Sequence, residues 1–292
     1  MLTKEFVGST KCNVKRNIRI AILDLYDGFE NQGMRCIRTI VKNWGVANEY
    51  QVTLNEFDVR QKCEVPGIDY DIYISTGGPG SPIDSEGSKW EEAMFKWLHE
   101  VEDWNIGPDN FPKKHVFFIC HSFQLVCRYY NLGNVIKRKS TSFGVFPIHV
   151  AEDGYDEAVF ENLNNPFYVV DSRDYQVIEP NHDVIRGMGG KILALEKLRP
   201  HVDLERAVMA IRINDYFIAT QFHPEADAKG MSMYLKREDK KDTVIANHGH
   251  EKWQSMLEHL EDPNKILMTN SHILPNFLNL AAGNLVEAQK AF

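Results

Sequence analysis

The chain has 292 residues, 43% of them hydrophobic and 25% charged, which is the composition of a globular protein with ample apolar material for a core. Its formal net charge of −8 and the lack of any basic block exclude nucleic acid as an expected partner. The opening MLTKEFVGSTKCNVKRN has no apolar signal-peptide core, and no run approaches the ~20 apolar residues that cross a bilayer, so no membrane partner is expected. The five cysteines (Cys12, Cys36, Cys63, Cys120 and Cys127) are odd in number, scattered and never spaced as C-x-x-C. They read as free thiols of a reducing compartment, and the expected location is the cytoplasm.

After a polar arm over 1–17, IRIAILDLY (18–26) reads as a buried strand, and NQGMRCIRTIVKNW (31–44) carries apolar residues at helical spacing. YQVTLNEFDV (50–59) alternates like a second strand. YDIYIST (70–76) is a third, running into the loop GGPGSP. SKWEEAMFKWLHEVED (88–103) is an amphipathic helix with Ser88 in position to cap it, KHVFFIC (114–120) the next strand and HSFQLVCRYY (121–130) the next helix. Strands alternating with helices predict a parallel sheet covered on both faces.

Beyond residue 134 the pattern changes to mostly short strands: 134–150, 167–180, 191–198, 207–213 and 216–222, with DEAVFENL (156–163) as the one helical stretch between them. The expectation is an α/β protein of three layers: a mostly parallel central sheet, flanking helices and added antiparallel strands, all in one domain over 18–292. From 226 onward the chain reads as helical. The charged KREDKKD (236–242) is a solvated loop or helix face. There is no internal repeat and no low-complexity tract.

Three stretches that each follow a strand carry the chemistry: TGGPGSP (76–82), ICHSFQ (119–124) and QFHPE (221–225). Ligands of open α/β sheets gather at the carboxyl ends of the strands, so all three are expected on one edge. A free thiol has a pKa of about 8.5 and needs a base or a favourable field to act as a nucleophile. His223 can serve Cys120 as that base, Glu225 can hold the imidazole in the required tautomer, and the N-terminus of the helix after Cys120 favours a thiolate. Pro224 stiffens the spacing between them. The Gly77–Gly78 turn offers unobstructed backbone N–H groups which, with that of His121, can form an oxyanion hole.

GGPGSP, C-x-S-x-Q and HPE, in this order, resemble the class I glutamine amidotransferases with their Cys-His-Glu triad and flavodoxin-like architecture. The likeness is greatest to the amidotransferase portion of GMP synthases and to their stand-alone relatives. TSFGVFPI (141–148), DSRDYQVIEP (171–180) and HILPNFLNLA (272–281) resemble further family segments, and 231–270 stands out as an insertion. The apolar Trp253, Met256, Leu257 and Leu260 give that insertion a short amphipathic helix, expected as a cover or docking surface beside the site.

The resemblance implies that Cys120 attacks the side-chain amide of L-glutamine, releases ammonia and leaves a γ-glutamyl thioester, with a separate synthetase receiving the ammonia. It implies Gly78 as an oxyanion donor and Gly77, Gln124 and Ser172 as substrate-binding residues. Three positions depart from the family pattern. Phe118 and Ser122 stand where it has glycine two places before and after the cysteine, and Arg173 where many relatives have histidine.

Two other functions fit the same residues: a γ-glutamyl hydrolase or peptidase, and an inactive domain that binds or regulates a partner. No cofactor is expected, since neither phosphate-loop fingerprint is present. No metal is expected either, because HGH (248–250) has nothing nearby to complete a ligand set. The sequence assigns no oligomeric state.

Overall fold

The computed structural model describes residues 16–108, 111–200, 203–262 and 265–290. The predicted N-terminal arm therefore lies outside the described residues except for its last two, and Cys12 lies outside with it. Among the described residues nine strands form one sheet: β1 (Asn17–Asp24), β2 (Gln51–Asp58), β3 (Ile72–Ser75), β4 (His115–Ile119), β5 (Asn134–Val150), β6 (Phe167–Ile178), β7 (Lys191–Glu196), β8 (Val208–Arg212) and β9 (Phe217–Thr220). Their order across the sheet is β2-β1-β3-β4-β9-β8-β7-β5-β6. The first five in that order run parallel, and the remaining neighbours pair antiparallel.

The parallel strands are apolar on both faces because both faces are covered. One face carries Ile20, Ile22, Ile72, Ile74, Phe117 and Ile119. They pack under helices α1 (Gln32–Ala47) and, at the chain's end, Ile266–Lys290. The opposite face carries Leu23, Tyr73, Val116 and Phe118. It lies under Trp97 and Leu98 of Lys89–Ile106 and Phe123 of His121–Tyr129. In chain order these helices are α1, the single turn α2 (Val59–Lys62), α3 (Lys89–Ile106) and α4 (His121–Tyr129). They are followed by α5 (His182–Gly187), α6 (Ala228–Leu235), α7 (Glu238–His248), α8 (His250–Glu261) and α9 (Ile266–Lys290). Asn31 caps α1 through its side chain, which accepts from the Met34 amide at 3.0 Å. Ser88 stands at the start of α3 but makes no side-chain capping bond.

The second half of the sheet differs from the sequence expectation in three ways. The segment 134–150 and its partner 167–178 are not short strands but a long hairpin, β5–β6, with one register shift between Lys137 and Ser142. The stretch 156–163 is not a helix. It holds one three-residue turn of 3-10 helix, Ala158–Phe160, whose Val159 and Phe160 enter the core while Glu157 is tied to Arg212. Finally, 216–222 supplies β9, which runs parallel beside β4 and closes the parallel half. The charged 236–242 segment falls largely in α7. Helices α6 to α8 rest on the hairpin through a small apolar cluster of their own, in which Met231, Leu235, Val244, Met256 and Leu260 meet Val145 and Val170.

Candidate active site

Three strand ends meet at the carboxyl edge. Cys120 is the junction between β4 and α4, with φ 49° and ψ −95°. A non-glycine residue at positive φ is strained, so the surroundings must hold it there. The Cys120 amide donates to the Thr220 carbonyl at 2.7 Å, and its own carbonyl accepts from the Gln124 amide at 3.1 Å as the first turn of α4. The residue is 5% exposed. A neighbouring glutamine approaches the thiol: Gln221 Nε2 lies 3.8 Å from Sγ, and Sγ itself lies 3.7 Å from the Ser172 carbonyl.

His223 follows β9. Its backbone amide donates to the Val170 carbonyl at 2.9 Å, in an isolated antiparallel bridge to β6. Nδ1 lies 2.8 Å from Oε1 of the buried Glu225. The Glu225 carbonyl in turn accepts from Asn270 Nδ2 of α9 at 2.8 Å. Burial works against a charged imidazole at 223, but the charges of Glu225 and Cys120, with the hydrogen bonds to both, outweigh it and raise the His223 pKa well above its usual value.

The two glycines of the β3 loop are required by close approach. A side chain at 77 would put its Cβ 2.8 Å from His223 Cε1 and 3.4 Å from Cys120 Cβ. At 78 it would meet the Leu25 carbonyl oxygen at 2.2 Å. Gly77 thus lies against both His223 and Cys120, and Gly78 is pressed between β1 and the cavity.

That cavity has a volume of about 670 Å³, with Gly78, Cys120, His121, Gln124, Ser172 and His223 in its wall. Gln124 is engaged within the protein: its Nε2 donates to Gln221 Oε1 at 3.1 Å and to the Tyr175 carbonyl at 3.3 Å. A chain of bonds therefore runs from β6 through Gln124 and Gln221 to the thiol. Sequence reasoning missed Gln221, although it stands two places before His223, and it missed Tyr26, which lies two places beyond β1 on the same edge. Burial, with the nearby Glu225 and Cys120, pushes the Tyr26 hydroxyl well above its ordinary pKa. A second cavity of about 350 Å³ adjoins the first and has His223 and Tyr26 in its wall too, along with Glu225, Asp227 and Cys36. Burial, then Asp227, pushes the Cys36 thiol up to about 12.

Among the described residues no cluster of three or more His, Cys, Asp or Glu side chains could hold a metal ion. No helix among them is long and apolar enough to cross a membrane.

The family model for glutamine amidotransferase class-I matches residues 21–241. The chain belongs to the class I glutamine amidotransferases. The members of this family are amide hydrolases, and this chain is an enzyme of that kind. No curated protein matches it by sequence. Among solved structures, the amidotransferase resembles SMU.1228c at a TM-score of 0.63 and 19% identity, over 91% of this chain and 100% of that one. A glutamine amidotransferase from Thermotoga maritima (tm1158) gives a TM-score of 0.63 at 15% identity, over 90% and 98%. The glutaminase domain of Trypanosoma brucei CTPS, solved with bound acivicin, gives 0.55 at 15% identity, over 91% and 94%. At these identities the likeness is one of fold.

The three departures from the family pattern each have a structural setting in this amidotransferase. The Phe118 ring is fully buried in the core on the α3–α4 side, edge-on to Phe217 with ring centres 6.1 Å apart, and does not line the cavity. The Ser122 hydroxyl donates to the Thr76 carbonyl at 2.5 Å and lies 2.7 Å from Ser75 Oγ, so it ties the first turn of α4 to the end of β3. The Arg173 side chain is buried between Asp171 at 3.0 Å and Glu196 at 3.2 Å, and Glu196 also holds Arg138 at 3.3 Å.

Proposed function

We propose that this amidotransferase hydrolyses the side-chain amide of L-glutamine through a γ-glutamyl thioester on Cys120 and passes the ammonia to a separate synthetase. The reading rests on one observation above all: a cysteine held at positive φ on a strand-to-helix turn, with a histidine–carboxylate pair packed against the same glycine. His223, whose raised pKa favours the imidazolium, holds the proton taken from Sγ while the sulfur attacks the amide carbon, and the carbonyl oxygen becomes an oxyanion facing the Gly78 and His121 N–H groups. The imidazolium then returns its proton to the nitrogen, the C–N bond breaks and ammonia leaves. Water, activated by the same imidazole, attacks the thioester, releasing glutamate and restoring the thiol. Glu225 keeps the Nδ1 proton in place throughout, which leaves Nε2 to do the proton transfers. Gly77, Gln124 and Ser172 shape the substrate's surroundings.

A second reading keeps the chemistry and enlarges the substrate to a γ-glutamyl amide or peptide. The cavity favours it: about 670 Å³ lies within the range of pockets that hold drug-sized ligands, and Tyr26, Phe143, Tyr175 and Tyr234 stand in its wall. Ammonia release from glutamine, measured beside cleavage of γ-glutamyl peptides, separates the two. Labelling of Cys120 by a glutamine-like electrophile tests the nucleophile directly, and an unreactive thiol would leave the regulatory reading standing instead. Within the family we assign the chain to the GMP synthase-like branch on its motifs. We place it in the cytoplasm, a reading supported by four free thiols at Cys36, Cys63, Cys120 and Cys127.

A further inference from the structure

Arg60, in the single turn α2 after β2, reaches across the carboxyl edge of the sheet with its side chain only 16% exposed. Nη1 donates to the Pro79 carbonyl at 2.5 Å and to the Leu25 carbonyl at 3.4 Å, and Nη2 pairs with Asp27 at 3.6 Å. These two carbonyls bracket Gly78. Pro79 follows it in the chain, and the Leu25 oxygen is the atom that any side chain at 78 would strike. The guanidinium also lies 5.1 Å from the centre of the Trp90 ring, and Trp90 packs on the His121 imidazole with ring centres 6.4 Å apart. Burial, with the charges of Arg60 and Arg128, brings the His121 pKa down to about 3, so this imidazole is neutral at working pH. One side chain thus touches the backbone around one oxyanion donor and the ring that supports the other.

We propose that Arg60, backed by Trp90, is the positioning residue of the oxyanion hole. It fixes the Gly78 and His121 N–H groups relative to each other and keeps a permanent positive charge behind them. Pre-aimed donors stabilise charge that develops only in the transition state, so their misplacement lowers turnover more than binding. Only arginine has a planar fork that bonds carbonyls while stacking on an indole; lysine keeps the charge but loses that geometry. The inference rests on the glutaminase reading above.

The test compares the full-length wild type with Arg60→Met and Arg60→Lys. It records kcat and KM for glutamine, and the rate at which iodoacetamide alkylates Cys120, followed by peptide mass spectrometry. Alkylation at a methylene builds no oxyanion, so it reports the thiol and its base alone. The expected result is a kcat lowered about 10- to 100-fold in Arg60→Met, reaching at most the lower end of the loss caused by removing an oxyanion donor itself. KM and the alkylation rate should stay near wild type, and Arg60→Lys should fall between. Should Arg60→Met fail to fold, Arg60→Lys, with its charge and long stem intact, carries the same comparison. An unchanged kcat in the folded variants overturns the inference, as does a fall in alkylation that matches the fall in kcat. A wild type that turns over neither glutamine nor γ-glutamyl amides would defeat the glutaminase reading itself, whereas an active wild type with indifferent Arg60 variants defeats only the role given to Arg60.

Discussion

His223 Nδ1 lies 2.8 Å from the Glu225 carboxylate, and this commits one ring nitrogen and leaves the other free for Cys120. The carboxylate is buried, so it acts on the imidazole with little screening by water. Replacing it by an amide, Glu225→Gln, should cost on the order of 10⁴ in kcat, and His223→Asn on the order of 10⁶, by the ordering known for an orienting acid and the base it orients. A reversed order in steady-state assays would mean that the two roles are misassigned.

The same pair sets a pH dependence of stability. The folded-state pKa of His223 lies above its unfolded value, so its contribution is complete below about pH 6.5 and drains away as the pH rises through the raised value. The melting temperature of wild type should therefore exceed that of Glu225→Gln most in weakly acidic buffer, with the gap narrowing toward alkaline pH. Calorimetric scans of both proteins across that window check the sign; a gap that widens with pH contradicts it.

Cys120→Ala should abolish turnover, by a factor on the order of 10⁶, while leaving the fold intact. Alanine keeps the Cβ and so the same strain at positive φ, which isolates the sulfur. Circular dichroism with an ammonia assay tests both halves, and residual turnover near wild type would end the covalent scheme.

Phe118→Ala should destabilise the enzyme by about 3–5 kcal/mol and leave substrate preference untouched, because the ring fills the core opposite the cavity. Ser122→Ala should cost about 1–3 kcal/mol by leaving the buried Thr76 carbonyl and Ser75 hydroxyl short of a partner. Denaturant melts give both numbers. A changed ratio of glutamine to γ-glutamyl peptide cleavage in Phe118→Ala would place that ring's influence in the site after all.

Replacing 236–262 by a short Gly/Ser linker removes Arg237 and Val244 from the cavity wall and takes Val244, Met256 and Leu260 out of the cluster over Val145 and Val170. With the cover gone, basal ammonia release should rise and thermal stability fall. Equal basal rates would reduce these helices to a surface addition.

Much of this site was legible from sequence because its parts are local. A buried run ending in Cys120, a double glycine after β3 and HPE after β9 each announce a strand end, and parallel topology brings such ends to one edge. What escaped notice depends on contacts between distant segments. Arg60 sits in an unremarkable DVRQK, and nothing at short range reveals that its guanidinium meets Pro79 and Trp90. The orientation of β9 was hidden too, since all four of its residues are buried, and an antiparallel neighbour such as β8 is nearly as apolar when it lies inside a wide sheet. The segment 156–163 has helical composition, yet the ion pair of Glu157 with Arg212 and the burial of Val159 and Phe160 leave it only a single 3-10 turn.

The pairing of β4 with β9 has a consequence for the order of events during synthesis. The strand that leads to Cys120 leaves the ribosome well before the one that leads to His223, and until β9 arrives β4 is an unpaired apolar edge, prone to the wrong partner. The amide of Cys120 also lacks its Thr220 acceptor until then. Nascent chains that end before β9 should therefore depend on chaperones and carry a thiol without its base. Under the proposed mechanism, a chain that ends before β9 should leave glutamine untouched, because the last parallel strand to be made is also the one that leads to the base of Cys120.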